Sequence, residues 1–180
     1  MMDKKWVLMT NDDGIDAPGF EHLVKAMNQA GIPLVAFAPS ENKSACSMQL
    51  NLGKPIDLHN RSELISLWKL DESVGVHLFA LDGTPCDTMI VALDGGLKHV
   101  LPTIQPSLVL SGVNLGPNLS QDSYHSGTMG AAREAGLYGI PAIASSYTSF
   151  DPAGMQVGID ATVELVQRVI PLIPRIPDNL

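Results

Sequence analysis

The chain has 180 residues, of which 45% are hydrophobic and 17% charged, so it carries enough apolar surface for a sizeable core and too much for a disordered chain. Its 11 Lys and Arg stand against 19 Asp and Glu, a formal net charge of −8, which argues against a broad phosphate-neutralising face for duplex nucleic acid. A small phosphate ester held through a metal remains compatible with that balance. Cys46 and Cys86 are too few for a disulfide framework and match no zinc spacing, which predicts a reducing, intracellular setting. The apolar run after Lys4 and Lys5 stops at Thr10, too short for a signal peptide, and the charge-free stretch 99–121 is broken by Pro102, Pro106 and Pro117, so it predicts no membrane span. The expectation is a soluble, cytoplasmic protein with one domain over residues 1–180.

Short apolar runs alternate with helix-like segments, the rhythm of a mostly parallel α/β sheet with helices on both faces. Residues 6–10 predict a buried first strand. Pro18-Gly19 opens a helix over 18–30, with Phe20, Leu23, Val24 and Met27 on one face and Gly31 as its stop. A second strand spans 34–38. Residues 41–53 turn polar, and 54–75 carry no clear pattern. Residues 76–81 predict a strand, 85–93 a helix begun by Pro85, and 108–110 a central strand. The stretch 112–127 reads as a long binding loop. It is followed by a small-residue helix over 129–137, a strand over 142–145, an amphipathic helix over 161–173 and a tail punctuated by Pro174 and Pro177.

Parallel sheets bind ligands where loops leave the carboxyl ends of the strands, and three polar clusters fall there. Asn11-Asp12-Asp13-Gly14 follows the first strand. One Asp there would read as a helix cap or turn residue. Two adjacent carboxylates raise each other's pKa unless a cation lies between them, so this pair asks for a metal. Asn42-Lys43-Ser44 follows the second strand; alone it reads as a solvated loop, but beside the first cluster Ser44 offers a hydroxyl ligand or a phosphate hydrogen bond, and Lys43 a counter-charge. Ser111-Gly112-Val113-Asn114 through His125-Ser126-Gly127-Thr128 ends at a helix start whose N–H groups suit an anion, a cap, or both. Carboxylates, amide oxygen and hydroxyl are hard donors, suited to Mg²⁺, Mn²⁺ or Ca²⁺. His125, next to this last cluster, is placed to contact substrate or donate a proton. The G-x-S-x-G elbow and the Walker A pattern are absent. So is the D-x-D arrangement of aspartyl-phosphate chemistry, which favours metal-assisted hydrolysis with Asp13 positioning or deprotonating the water.

Asn11-Asp12-Asp13-Gly14-Ile15, Ala38-Pro39 with Ser44, Asp82-Gly83-Thr84-Pro85 with Asp87, Ser111-Gly112-Val113-Asn114 with Gly116 and Asn118, Ser126-Gly127-Thr128 and Ala131-Ala132-Arg133-Glu134 follow one another in the order and spacing that resemble the SurE family of survival proteins, over essentially the whole chain. The resemblance implies a three-layer Rossmann-like fold and a divalent-metal-dependent phosphomonoesterase acting on nucleoside 5′(3′)-monophosphates, extending to short polyphosphate. It implies metal ligation by Asp12, Asp13, Ser44 and Asn114, with one Mg²⁺ or Mn²⁺ per subunit and Ca²⁺ as a substitute in crystals. It implies a catalytic set of Asp12, Asp13, Asn118, Ser126 and Thr128, and a phosphate pocket formed by Asn11, Ser44, Gly112, Asn114, Asn118, Ser126, Gly127 and Thr128. It also implies a homodimer and a C-terminal extension beyond the counterpart of Leu180; Leu115 stands where many family members carry a basic residue. The alternative is a non-catalytic nucleotide- or phosphate-binding module, or an inactive truncated relative.

Overall fold

The computed structural model describes residues 4–174. Six strands, β1 (Trp6–Thr10), β2 (Leu34–Pro39), β3 (Leu58–Asn60), β4 (Val76–Leu81), β5 (Pro106–Leu115) and β6 (Ala142–Tyr147), form one sheet in the order β3-β4-β2-β1-β5-β6. All neighbours pair parallel except β3 with β4. The expected α/β class is therefore the one observed.

Alternate residues of each central strand feed two separate cores, as the period-2 geometry of a strand requires. Val7, Met9, Leu34, Ala36, Leu108 and Leu110 face α1 (Pro18–Gln29) and α7 (Met155–Val169) through Phe20, Leu23, Met27, Ile159 and Val166. Leu8, Val35, Phe37 and Val109 face α3 (Pro85–Val91) and α6 (Gly127–Leu137) through Met89, Ala131 and Ala135. Burial on both faces is why these strands read as unbroken apolar runs, each large side chain contributing about 1.5–3 kcal/mol.

Several boundaries differ from expectation. Residues 54–75 hold the short strand β3 and α2 (Glu63–Leu67), whose Leu64 and the following Trp68 anchor them to the core. The helix over 85–93 ends at Val91 and passes through a π-type turn into α4 (Leu97–Val100). The central strand is not 108–110: β5 runs to Leu115, its pairing with β6 shifting register between Ser111 and Asn114. Ser111, Gly112 and Asn114 break the apolar run at its end and give the stretch a loop-like composition, although Val113 and Leu115 still pack on the core. The first residues of the expected loop 112–127 are thus strand and residues 122–125 form α5 (Asp122–His125), with 116–121 left as the connecting loop. α6 begins at Gly127, two residues early. The last helix starts at Met155 and not 161, because Asp151 caps a 3-10 turn at Pro152 that leads into it, and Gly158 is tolerated where it packs against the Tyr147 side chain. It stops at Val169 because Pro171 cannot supply the next N–H. Pro177 lies outside the described residues.

Chain order places β2 and then β4 on one side of β1, and β5 and then β6 on the other. The switch between β1 and β5 leaves a crevice at their carboxyl ends, the general ligand position of such sheets.

Candidate active site

The three polar clusters meet at that crevice. A cleft of about 260 Å³ is lined by Asp12 after β1, by Ser44 and Ala45 after β2, by Asn114, Leu115, Pro117 and Asn118 at the end of β5, by Asp122, His125 and Ser126 before α6, and by Phe150 after β6. Ser44 gets there because its loop is tied down along its length. The Lys43 N–H donates to the Asp12 carbonyl (2.6 Å) and the Ser47 N–H to the His125 carbonyl (2.8 Å). The Ser47 hydroxyl donates to the Tyr124 carbonyl (2.6 Å) and the Thr84 hydroxyl to the Gln49 carbonyl (2.6 Å). Asn51 closes the series, donating from its backbone N–H and its amide to the two oxygens of Asp87 at 3.1 and 2.7 Å. Ala45 and Ser47 take positive φ (58° and 54°), a strained conformation for non-glycine residues that these ties maintain.

Asp12 is only 3% exposed and accepts the Thr128 hydroxyl at 2.7 Å. Burial pushes its carboxyl up, while the Thr128 hydroxyl and the backbone at Thr128 and Gly127 draw it down. The positive end of α6 therefore already faces this carboxylate. Asp13 is half-buried; its pKa is pushed up to about 6, first by burial and then by the charge of Asp12. Asn114 spends its amide nitrogen on the Gly116 carbonyl (2.8 Å) and Asn118 its own on the Ser146 hydroxyl (2.8 Å), so the amide oxygens are the atoms left for a ligand.

Asp12, Ser44, Asn114, Asn118 and Ser126 thus share one cleft, whereas Asp13, Asn11, Gly112, Gly127 and Thr128 are not among its lining residues; Asp13 and Asn11 adjoin Asp12 in the chain, and Gly127 and Thr128 follow Ser126. Asn11 is buried, its amide closing a turn with Gly14. The Ser126 hydroxyl accepts the Met129 N–H (3.1 Å) and so serves as the cap of α6. Lys43, expected to offset phosphate charge, pairs with the exposed Glu41 (2.6 Å) and is not among the residues lining the cleft. Sequence reasoning passed over Phe150 and Asp122. Phe150 lies just beyond a strand's carboxyl end, and that position was the available signal.

No Lys or Arg is among the lining residues, while Asp12 and Asp122 are. An anion entering here meets negative charge unless a cation accompanies it. Among the described residues no three His, Cys, Asp or Glu side chains cluster as a metal cage. The oxygen donors at the cleft are instead the Asp12 carboxylate, with Asp13 beside it in the chain, the Asn114 amide oxygen and the Ser44 hydroxyl, a set that fits a hard divalent cation that keeps part of its water.

Replacing Thr128 with valine keeps the shape but strips the buried carboxylate of its hydroxyl donor. The expected cost is about 2 kcal/mol, a fall in Tm of roughly 4–8 °C by calorimetry, since bonds to charged groups are worth about 1.5–3 kcal/mol.

The family model "Survival protein SurE" matches residues 7–177. The chain belongs to the SurE family. It is 34% identical over 166 residues to "5'-nucleotidase SurE 1" of Burkholderia lata, covering 91% of this chain and 58% of that protein. It is 39% identical over 144 residues to "5'-nucleotidase SurE" of Desulfitobacterium hafniense strain DCB-2, covering 80% of this chain and 51% of that protein. The crystal structure of the SurE protein from Aquifex aeolicus superposes with a TM-score of 0.73 at 30% identity, over 92% of this chain and 60% of that one. This chain thus spans between half and three fifths of the length of these SurE proteins. No helix among its described residues is long and apolar enough to cross a membrane.

Proposed function

We propose that this chain hydrolyses nucleoside monophosphates to nucleoside and phosphate, with a divalent cation, Mg²⁺ or Mn²⁺, held by Asp12, Asp13, Ser44 and Asn114. The observation that carries the reading is the cleft at the β1–β5 switch, which gathers hard oxygen donors from three segments and has no cationic side chain in its lining. A bound cation would supply neutralisation of phosphate charge and activation of water near neutral pH.

The remaining work belongs to the chain's own residues. Thr128 fixes the orientation of Asp12, so the carboxylate does not reorganise when phosphate arrives. Ser146 and the Gly116 carbonyl do the same for Asn118 and Asn114, whose amide oxygens are left free to face the cation or its water. Asp13, next to Asp12 in the chain, orients the attacking water or takes its proton. His125, which lines the cleft, returns a proton to the departing ribose oxygen in this reading.

The test is phosphate release from AMP and p-nitrophenyl phosphate, with and without Mn²⁺. EDTA is expected to stop release and Mn²⁺ or Mg²⁺ to restore it. Nucleotide binding without release would favour a non-catalytic binding module instead.

A further inference from the structure

Phe150 is 75% exposed, yet it lines the same cleft as Asp12 and Asn114. Single exposed aromatics are common on protein surfaces, so exposure alone means little. What distinguishes this one is how it is held. The Asp151 N–H donates to the Ser149 hydroxyl (3.0 Å) and the Ala153 N–H to the Asp151 carboxylate (3.0 Å), which braces the short loop after β6. The ring rests on Gly116, whose φ of +114° is glycine territory and where a Cβ would fall 2.4 Å from Phe150 Cε1. A side chain at 116 would displace the ring. The chain therefore keeps a large apolar face in place at the cleft without burying it.

β6 lies two strand positions from β1. At the usual strand spacing that is an offset of roughly 10 Å between the Asp12 end of the cleft and the β6 end. A nucleoside monophosphate has the length to span it, with phosphate at Asp12, ribose across Asn114 and Asn118, and base beyond. Resting on the nucleotidase reading above, we propose that Phe150 is the platform on which the base stacks, and that it sets the preference for nucleotides over phosphate esters without an aromatic base. Stacking accepts every base because each has a π-face, with purines favoured by their larger ring.

The experiment compares kcat/KM for AMP with that for ribose 5-phosphate, in Mn²⁺, for the wild-type chain and for Phe150→Ala and Phe150→Trp. The AMP-over-ribose-phosphate ratio is expected to fall at least about tenfold in Phe150→Ala, carried by KM, the change that ~1.4 kcal/mol of lost stacking produces. Phe150→Trp is expected to restore it. A ratio that stays constant in Phe150→Ala, whether both rates hold or both fall together, overturns the base platform and leaves the nucleotidase reading standing. A wild-type chain that hydrolyses neither ester overturns both.

Discussion

Asp13→Asn is expected to lower phosphate release from AMP by at least about a hundredfold and to weaken Mn²⁺ binding, while the chain still folds. The side chain keeps its size and loses its charge. In the native chain that charge is held against burial and against Asp12, which push the pKa up to about 6 from an ordinary 3.8. Such a position is costly unless a cation occupies the space between the two carboxylates. The sign of the stability effect follows. A carboxyl whose pKa is higher in the folded than in the unfolded chain penalises folding above the folded value, and the penalty disappears as pH drops through about 6 towards 3.8. In chelator at pH 8, Asp13→Asn should therefore melt at or above the wild-type temperature, and the two curves should converge in acid. Colorimetric phosphate release, calorimetric titration with Mn²⁺ and thermal melts at both pH values check these outcomes; wild-type turnover in the variant would refute the assignment.

Gly112→Ala is expected to cost about 3 kcal/mol and to lower Tm by roughly 6–12 °C. Gly112 has a φ of +123°, and an added Cβ would stand 2.3 Å from the Ser145 carbonyl oxygen. That oxygen, in β6, and the next nearest atom, the Asn114 backbone nitrogen at 3.2 Å, are main chain and cannot swing away as a flexible side chain would. The strand must move, and with it the register shift between Ser111 and Asn114 that turns Asn114 towards the cleft. Activity should fall together with stability, although Gly112 itself does not line the cleft. A variant that melts like the wild type would show that β5 and β6 have slack at this point. The family resemblance implies a place for Gly112 in the phosphate pocket; the geometry adds the task of letting two strands approach where the site is built.

The difference between what was legible in the residues and what was not is physical. Strands buried on both faces need unbroken runs of Val, Leu, Phe and Ala, so β1, β2 and β4 announce themselves locally, as does α1 with its apolar stripe and its proline start. The adjacent carboxylates of Asp12 and Asp13 likewise point to a cation from their charge alone. The end of β5 is not legible locally, because Ser111, Gly112 and Asn114 interrupt the apolar run even though Val113 and Leu115 pack on the core. The start of α7 was missed because Gly158 looks like a breaker until its packing against Tyr147 is seen.

By itself, then, the sequence determined the parallel α/β architecture, the acidic pair after the first strand and the glycine-rich start of α6, all set by neighbours a few residues apart. Only the tertiary structure decided that the Ser44 loop folds back onto β1 and α5, that Thr128 spends its hydroxyl on Asp12 across 116 residues of chain, and that Phe150 stands at the end of the same cleft. Those relations depend on strand order and on hydrogen bonds between distant segments, which no local pattern of side chains encodes.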